Sequence, residues 1–480
     1  MIKNKFKKWV IIGLCTILAI LVVCSGIVIY VDPFSVYHKP VQGLYYPYDD
    51  VMYQAAGIVK NYEYSTLIAG TSLIQNMKAS TAEELFGGKA VKTPLCGMSL
   101  YRTAQLIDLA AEHNPKLERV IVNMDREILL SDKEDDDQNF PEFLYDNNYF
   151  NDVGYLFNKS IILNKNIECI FNPDNMVQEN FDLAFSSEKQ FYFAEFAVKT
   201  HSIVKTDFDL QESESRLEKN IGLYKSLSQK YPHIKFDIVI PPKSIMSIKE
   251  LQENGLIDSE ITFLTRAVQS LLDCDNVEIH MIQDNQDIIG NLYNYCDFQH
   301  FSAKVSDYIL QTIKDKTELL TKENYVEEIL KVKTIAETFD YSVFDEKAYP
   351  IKGETDIDNY LKMLESNAKY EIYASYSDSD QINLKNSTKV LFESCELNAD
   401  ALLSGTEKGQ FNQNGLDSKN SVVFGESGEI FINEIDYSMG LPGINIVVYD
   451  KHLERVIDSV NFNGTDLSEC LRTKAVRKDK

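Results

Sequence analysis

The sequence is poor in the residues that several common classes of function require. It has 48 lysines and arginines against 73 aspartates and glutamates, a formal net charge of −25 at pH 7. Nucleic-acid binding needs a basic surface, so a nucleic-acid partner is not expected. The seven histidines form no H-E-x-x-H or other metal-ligand pattern, and the eight cysteines form no C-x-x-C pair. We therefore expect no metal, no organic cofactor and no dense disulfide framework.

Long hydrophobic runs are also scarce, and the one clear case is at the N-terminus. Four lysines between Lys3 and Lys8 precede an uncharged stretch from Trp9 to Val31. That stretch is long enough for a helix to cross a ~30 Å hydrocarbon core. The lysines predict that residues 1–31 form a cytoplasmic tip and a single-pass membrane anchor, with the rest of the chain outside the cell.

Two other interpretations of the N-terminus remain open. A cleaved signal peptide normally has a shorter apolar region, ~7–15 residues, followed by small residues at the cut. A lipoprotein signal would end at Cys24, but Val23 is bulky for that position and apolar residues continue after Cys24. The run Trp9–Val31 is longer than the apolar region of a signal peptide, and it does not fit a lipoprotein signal. Both features favour an uncleaved anchor.

Strand-like and helix-like segments alternate after residue 65. The predicted strands are Thr66–Ala69, Ala90–Leu95, Arg119–Asn123, Phe236–Ile240 and Val277–Met281. The predicted helices lie near Leu100–His113, Glu212–Gln229, Glu260–Leu272 and Ala303–Thr317. This alternation is typical of βαβ units and predicts an α/β fold with a mostly parallel sheet. Residues 131–210 interrupt it and are too many for a plain loop, so we expect a helical insertion there.

The remaining segments suggest further divisions of the chain. A tyrosine-rich connector, residues 32–64, leads into the α/β domain, which we expect to span 65–333. Period-2 patterns separated by turn residues predict a second, mainly β domain at 345–470. Residues 471–480 are expected to form a basic tail.

Two short motifs carry the chemistry that the sequence suggests. Gly70-Thr71-Ser72 directly follows the first predicted strand, and Asp297 lies three residues before His300. Open α/β sheets bind ligands outside the carboxyl ends of their strands, so Ser72 is well placed to be a nucleophile. A serine hydroxyl needs a base, usually a histidine, and that base needs an orienting group. We therefore expect Ser72, His300 and Asp297 to form a catalytic triad.

Each motif also has a structural explanation. Ser72 could cap the helix-like segment that follows it, Asp297 could be a turn residue, and Ser302 could cap the last helix. Their joint positions favour a hydrolytic site. The G-x-S-x-G elbow is absent because Leu73 and Ile74 follow the serine, which argues against the α/β-hydrolase fold.

With these blocks the chain resembles the SGNH hydrolase superfamily, and within it the membrane-anchored branch that includes DltD-like cell-envelope proteins. The resemblance covers residues 60–320 and implies a three-layer, flavodoxin-like α/β fold. It implies Ser72 as nucleophile, His300 as base and Asp297 as its orienter. It also implies oxyanion donors, namely the Ser72 amide, Gly97 in a second block and an asparagine in a third.

The third block of that superfamily, usually G-x-N-D, is absent from this sequence. Asn123, at the end of a predicted strand, is the nearest substitute. Asn76, four residues after Ser72, and Thr71 are additional candidates. Because losing one oxyanion donor typically costs ~10²–10³ in rate, acyl transfer or a non-catalytic role gains weight against hydrolysis.

The C-terminal part carries a second resemblance. Gly443–Asp450 and Val456–Phe462, preceded by Tyr360–Leu364, resemble the interleukin-like EMT inducer (ILEI) domain. That resemblance implies a compact β structure with helices and a carbohydrate-binding accessory module. Hydrophobic alternation in any β domain explains the same pattern.

The expected function is a membrane-anchored extracytoplasmic SGNH-like serine esterase or O-acyltransferase. Its expected partner is a cell-envelope polysaccharide or teichoic-acid-like polymer, and a membrane-bound acyltransferase is a further candidate. One alternative is a glycan- or partner-binding protein without turnover, and another is a structural envelope protein.

Cys96 and Cys296 each lie beside a proposed site residue. They could form a disulfide near the site or be two separate thiols.

Overall fold

The computed structural model combines an apolar N-terminal helix, a largely parallel sheet flanked by helices and a separate antiparallel sheet. The predicted fold class is confirmed. The residues that the structure describes are 2–171, 181–182, 209–344, 350–365, 370–377, 382–404, 409–411, 421–425, 428–433, 435–438, 441–451, 455–465 and 467–472.

The N-terminal helix runs from Ile2 to Val31. Its segment Phe6–Val31 has a mean hydropathy of 2.8 and is long and apolar enough to cross a membrane. Length and composition of this kind fit either a membrane anchor or a signal sequence.

The predicted connector is an integral part of the α/β domain. It contains the helix Val51–Asn61, and Phe34, Tyr48 and Tyr64 are buried in the same hydrophobic core as the parallel sheet. Its tyrosines pack because their rings add apolar area while their hydroxyls find acceptors, as Tyr64 does on the Val59 carbonyl.

The parallel sheet has six strands in the order β2-β1-β3-β4-β5-β6. They are β1 (Thr66–Gly70), β2 (Ala90–Pro94), β3 (Arg119–Asn123), β4 (Lys235–Ile240), β5 (Val277–Met281) and β6 (Leu319–Leu320). Strands β1–β5 are parallel, and β6 pairs antiparallel with β5. Because β1 pairs with both β2 and β3, the strand order reverses at β1, where a crevice opens at the carboxyl edge.

Helices connect and cover these strands. They are Ala79–Phe86, Leu100–His113, Arg126–Leu129, Leu210–Lys230, Ile245–Glu253, Ile257–Leu271, Gln286–Ile289, Ala303–Asp315 and Tyr325–Thr338. The four predicted helices are present, each with ends within about three residues of those expected, because their apolar faces recur at the helical period.

The described part of the insertion is made of short helical pieces. They are the 3-10 turns Lys133–Asp135, Glu142–Leu144 and Tyr149–Asn151, the helices Val153–Leu156 and Asn166–Phe171, and the π-helical turn Ile161–Lys165. The rest of the predicted insertion, apart from residues 181–182 and 209–210, lies outside the described residues.

The C-terminal part contains two antiparallel sheets. One has the order β14-β13-β12-β7-β8 and the other β11-β10-β9. The strands are β7 (Tyr370–Ser377), β8 (Gly409–Phe411), β9 (Val422–Phe424), β10 (Ile430–Ile432), β11 (Ile435–Asp436), β12 (Gly443–Asp450), β13 (Arg455–Asn463) and β14 (Glu469–Arg472). The helices Ile357–Leu364, Asn386–Ser394 and Ala399–Leu403 contribute to a hydrophobic cluster separate from that of the parallel sheet.

Two predicted boundaries need correction. The boundary at 333 falls inside the helix Tyr325–Thr338, and the core of the parallel sheet extends to Phe344. The predicted tail begins too early, because Arg472 belongs to β14 and its guanidinium donates to the buried carboxylate of Asp458. Residues 473–480 lie outside the described residues.

Candidate active site

The turn that presents Ser72 requires a glycine at its first position. Gly70 has φ +147°, and a Cβ there would lie 2.1 Å from Asn123 Oδ1. That oxygen accepts a 3.0 Å hydrogen bond from the Thr71 amide. The close approach between β1 and β3 therefore sets the direction in which the chain leaves the sheet.

Ser72 begins a short 3-10 turn, Ser72–Ile74, whose Leu73 and Ile74 are buried. The residue that caps this turn is Thr71, whose hydroxyl accepts from the Leu73 amide at 3.4 Å. The capping explanation for Ser72 is therefore wrong, because Thr71 performs that task. The Ser72 hydroxyl is left to face the opposite side of the crevice.

Ser72, His300 and Asp297 form a continuous hydrogen-bonded chain. The distance from Ser72 Oγ to His300 Nε2 is 2.7 Å, and that from His300 Nδ1 to Asp297 Oδ2 is also 2.7 Å. With Nδ1–H donating to the carboxylate, Nε2 is the acceptor for the serine hydroxyl. Motifs that lie 228 positions apart in the sequence thus meet at the carboxyl edge of the sheet.

The Asp297 carboxylate is set up to stay ionised. Burial raises its pKa, but hydrogen bonds from the His300 side chain and from the His300 and Gln299 amides outweigh that effect. The pKa of Asp297 is therefore below its usual value. An ionised carboxylate at Nδ1 orients the imidazole and stabilises it when it takes up a proton.

The turn that carries Asp297 and His300 is held on both sides. A bridge between Tyr295 and Phe301 closes it, and the buried Tyr295 hydroxyl donates to the Pro242 carbonyl at 2.8 Å. The hydroxyls of Ser244 and Ser247 donate to the Phe298 carbonyl at 2.7 and 2.6 Å. These contacts fix the imidazole against the serine without help from substrate.

The predicted cap at the following helix is present. Ser302 Oγ accepts from the Val305 amide at 3.3 Å at the start of Ala303–Asp315. Ser302 therefore has a structural role, and His300 lies three residues before the first residue of the helix, Ala303.

Two backbone amides that follow neighbouring strands are candidates for an oxyanion site. Gly97 follows β2, has φ +73° and has open space where a Cβ would lie. Ser72 follows the neighbouring strand β1. Within the described residues, neither the Ser72 amide nor the Gly97 amide has an assigned acceptor.

The asparagines proposed as oxyanion donors are engaged elsewhere. Asn123 Nδ2 donates to Thr71 Oγ1 at 3.1 Å and to Asp125 Oδ2 at 2.8 Å, which uses both of its hydrogens. Asn76 is buried, and its Nδ2 donates to the Phe301 carbonyl at 2.8 Å. Asn123 braces the nucleophile turn against β3, while Asn76 ties that turn to the residue after His300.

Sequence reasoning missed a polar chain behind Asn123. Asp125 accepts from Asn123 and lies 3.4 Å from Lys243 Nζ, and Lys243 also pairs with Glu127. Asp125 further caps the helix Arg126–Leu129. The signal available was an Asn-x-Asp pattern at a strand end.

A cavity of about 230 Å³ lies beside the triad. Gln299, the neighbour of His300, contributes to its wall together with Lys243, Glu260 and apolar side chains such as Leu264. Burial raises the pKa of Glu260 to about 7, although Lys243 and Arg126 oppose this. The cavity combines neutral amides with charged groups and is therefore suited to a polar ligand.

Among the described residues, two groups of side chains have ligand atoms close enough for a metal ion. One, Cys296 with Asp297 and His300, overlaps the triad. The other is Asp237, Glu278 and His280. There Lys235 Nζ lies 3.3 Å from the Asp237 carboxylate and 2.7 Å from that of Glu278, so a protein cation already occupies the group.

Cys96 and Cys296 are both free thiols, and no disulfide joins them.

Comparisons with known proteins give little beyond this geometry. No protein-family model and no curated protein matches the sequence. A solved structure from Streptococcus pneumonia, described as a "putative platelet activating factor", is similar over 56% of this chain and 91% of its own, with 11% sequence identity and a TM-score of 0.30. A likeness this weak does not bear on function, which rests on the site itself.

Proposed function

We propose that this protein is a membrane-anchored serine esterase or O-acyltransferase of the SGNH type that acts on a cell-envelope glycopolymer. The observation that carries the proposal is the pair of 2.7 Å hydrogen bonds that join Ser72 to His300 and His300 to Asp297. Nucleophile, base and orienter in this order are the components of acyl transfer through a serine.

In the first half of the reaction, Ser72 Oγ attacks the acyl carbonyl carbon while His300 Nε2 takes the hydroxyl proton. Asp297 stabilises the imidazolium that results. The amides of Ser72 and Gly97 are the candidate donors to the oxyanion that develops. The bond to the leaving alkoxide then breaks, and His300 gives that alkoxide its proton, which leaves an acyl group on Ser72.

In the second half, His300 takes a proton from the acyl acceptor, whose oxygen attacks the acyl carbon. The bond between that carbon and Ser72 Oγ then breaks, and His300 returns the proton to Ser72. Water as acceptor makes the protein an esterase, and a polymer hydroxyl makes it a transferase. The side chains of His300 and Asp297 are 26% and 52% exposed, so the site is accessible from solvent. An accessible site is compatible with a polymeric substrate.

Labelling with a fluorophosphonate tests the nucleophile. Wild-type protein should react, Ser72→Ala should not, and Ser80→Ala should react like the wild type. Ser80 is a suitable control because it is exposed and its described hydrogen bond, to Asp182, comes from its amide. Equal labelling of wild type and Ser72→Ala would contradict the proposal. Turnover of a chromogenic acetyl ester, with and without an oligosaccharide acceptor, would then separate hydrolysis from transfer.

A second candidate function is glycan or partner binding without turnover. The observation that favours it is that both side-chain hydrogens of Asn123 are engaged, so the site has fewer free oxyanion donors than the triad would use best. Absence of labelling in a wild-type protein with native circular dichroism would support this function.

The proposed location is the cell membrane, with the N-terminus in the cytoplasm and the remaining chain outside. The support is the apolar helix behind a lysine-rich tip. Protease treatment of intact cells that carry a tag at each end should remove only the C-terminal tag. A mature N-terminus mapped beyond about residue 30 would instead identify a cleaved signal.

For the C-terminal β part we propose accessory binding of the glycan or of a membrane-bound acyltransferase. Its support is a hydrophobic core separate from that of the parallel sheet. A chain that ends after Phe344 keeps the whole core of the parallel sheet. It should still react with the fluorophosphonate but bind the polymer more weakly. Loss of labelling in a truncated protein that stays folded would give the β part a role in the active site.

A further inference from the structure

A row of large apolar side chains lies uncovered on the insertion. Phe150 is 96% exposed and Phe171 is 72% exposed. The other members of the row are Val153, Phe157, Leu163, Ile167 and Ile170, all at least 40% exposed. We call these seven residues the apolar row. So dense an outward-facing set on so short a segment is unusual for a surface in water and marks an interaction site.

The second half of the apolar row follows a helical pattern that faces away from the core. Leu163, Ile167 and Ile170 are spaced by four and three residues and share one face of the helical segment. Cys169, which points away from this stripe, is buried, and so is Asn166 at the edge of the stripe. The segment thus turns its apolar stripe outward, which is the orientation of a helix lying on a bilayer surface.

The apolar row is continuous with the N-terminal helix. That helix contacts Val153–Leu156, the π-helical turn Ile161–Lys165 and Asn166–Phe171. Its last turn is buried at Val28 and Val31, whereas most of its apolar length faces outward. The outward apolar surface therefore continues from the end of the helix onto the insertion.

The junction between the helix and the folded domain is firmly built. Asp32 has φ +46° and is fully buried. Its carboxylate accepts from the Val36 amide at 2.9 Å, the Tyr37 amide at 2.7 Å and the Tyr155 hydroxyl at 2.9 Å. Because Tyr155 belongs to the insertion, Asp32 connects the end of the apolar helix directly to the segment that carries the apolar row. The two surfaces therefore keep a defined relation.

We propose that the apolar row inserts into the interfacial layer of the lipid bilayer beside the N-terminal helix and holds the α/β domain against the membrane. This inference rests on the proposed anchoring by residues 1–31. Lipid is the occupant because the row extends the surface of the span itself. Tyr149, 55% exposed and packed 5.9 Å from Tyr37 between ring centroids, is of the type enriched at membrane interfaces.

Tryptophan fluorescence in nanodiscs tests the contact with lipid. The chain has one tryptophan, Trp9, which lies in the N-terminal helix and is 73% exposed. Full-length wild type is placed, one copy per nanodisc, in lipid brominated near the headgroup end of its acyl chains. In a Trp9→Phe background, Phe150→Trp and Phe171→Trp place the probe in the row. Val326→Trp, at a site 45% exposed on another helix, is the matched control.

Emission from Phe150→Trp and Phe171→Trp should fall roughly two-fold in brominated relative to ordinary lipid, because the ring lies within the headgroup and acyl boundary. Val326→Trp should not change. Phe150 is 96% exposed, so a tryptophan there removes no packing, and circular dichroism verifies the fold.

The wild-type signal separates the two possible failures. If Trp9 is not quenched, the helix is not in the bilayer and the anchoring proposal fails. If Trp9 is quenched but the Phe150→Trp and Phe171→Trp probes behave like Val326→Trp, the anchor holds and the present inference is overturned. The row would then be left for another occupant, such as a membrane protein, a second copy or another part of this chain.

Discussion

The parallel sheet and the five-stranded antiparallel sheet place their polar groups differently. In the antiparallel sheet, Asp458 is fully buried and accepts from the Tyr360 hydroxyl at 2.9 Å and from the Arg472 guanidinium. Ser459 donates to the Tyr437 carbonyl at 2.5 Å. At the parallel sheet, polar groups gather at the carboxyl edge. There the Ser72 hydroxyl is hydrogen-bonded to His300, and among the described residues the Ser72 and Gly97 amides have no assigned acceptor.

Strand direction explains the difference. All parallel strands end at the same edge, so the turns after β1, β2 and β3 converge with the turn before the helix Ala303–Asp315. In an antiparallel sheet, consecutive turns alternate between two edges, so their polar residues are divided between them. The comparison teaches that burial of polar groups does not by itself indicate chemistry. An engaged donor stabilises the fold, and an unengaged one beside a nucleophile can act on a substrate.

The largest expected effect is a loss of activity, and it should follow a change at the parallel sheet. His300→Ala removes the base from Ser72 and should lower the ester turnover or labelling rate by about 10³-fold or more. The melting temperature should change little, because the ring is partly exposed. His113→Ala, at a helix end away from the site, is the control and should keep full reactivity. Comparable rates for the two variants would break the assignment of chemistry to the parallel edge.

The second effect is a loss of stability, and it should follow a change in the antiparallel sheet. Asp458→Ala leaves the mostly buried guanidinium of Arg472 without its carboxylate, which should destabilise the C-terminal sheet by about 3–5 kcal/mol. Urea unfolding measures this, and fluorophosphonate labelling should persist. Asp400→Ala is the control, because its pair with Lys389 is exposed and is worth at most about 1 kcal/mol. Equal costs for the two variants would contradict the structural role of Asp458.

A smaller effect, on both stability and labelling, is expected at the turn that carries Ser72. Gly70→Ala drives a methyl group into Asn123 Oδ1 and should cost about 1–3 kcal/mol while lowering labelling about ten-fold. Gly87→Ala is the matched control, since Gly87 has φ +78° but open space around its Cβ position. It should cost about 1 kcal/mol and leave labelling unchanged. Unaltered labelling of Gly70→Ala would mean that the turn tolerates displacement of Asn123.

The variant with the smallest expected effect on labelling lies in the cavity that Gln299 and Glu260 line. Burial raises the pKa of Glu260 to about 7 from a usual value of 4.5, so the folded state keeps a proton that the unfolded state releases. Wild-type stability should fall as the pH rises from about 4.5 to about 7. Glu260→Gln lacks this loss, so between pH 5 and pH 8 its stability relative to the wild type should rise by about 2.5 kcal/mol.

Urea midpoints at the two pH values measure that difference, and labelling should not change, since no contact joins Glu260 to the triad among the described residues. A difference between the two proteins that does not vary with pH would show that Glu260 ionises at its usual pKa inside the fold.

Much of this architecture could be predicted because its signals are local. The strands of the parallel sheet are short apolar runs that are buried on both faces, and such runs are visible without partners. The meeting of Ser72, His300 and Asp297 could be predicted because an early Gly-Thr-Ser and a late Asp-x-x-His each mark a polar turn at a strand or helix end. The end of the α/β core could not be predicted from the sequence. The helix Tyr325–Thr338 belongs to that core because it packs against the helix Ile257–Leu271, and this contact is not visible in the sequence.

The sequence by itself determined the α/β class and the apolar helix, and it singled out Ser72, His300 and Asp297, which the structure joins by hydrogen bonds. Hydrophobic period and motif order are properties of the chain alone. Only the tertiary structure decided that Thr71 caps the nucleophile turn, that Asn123 and Asn76 brace it, and that the apolar row extends the surface of the N-terminal helix. Each of these depends on which donors, acceptors and apolar faces from distant segments meet. Hydrogen bonds and packing act over a few ångströms, so the chain must fold before they exist.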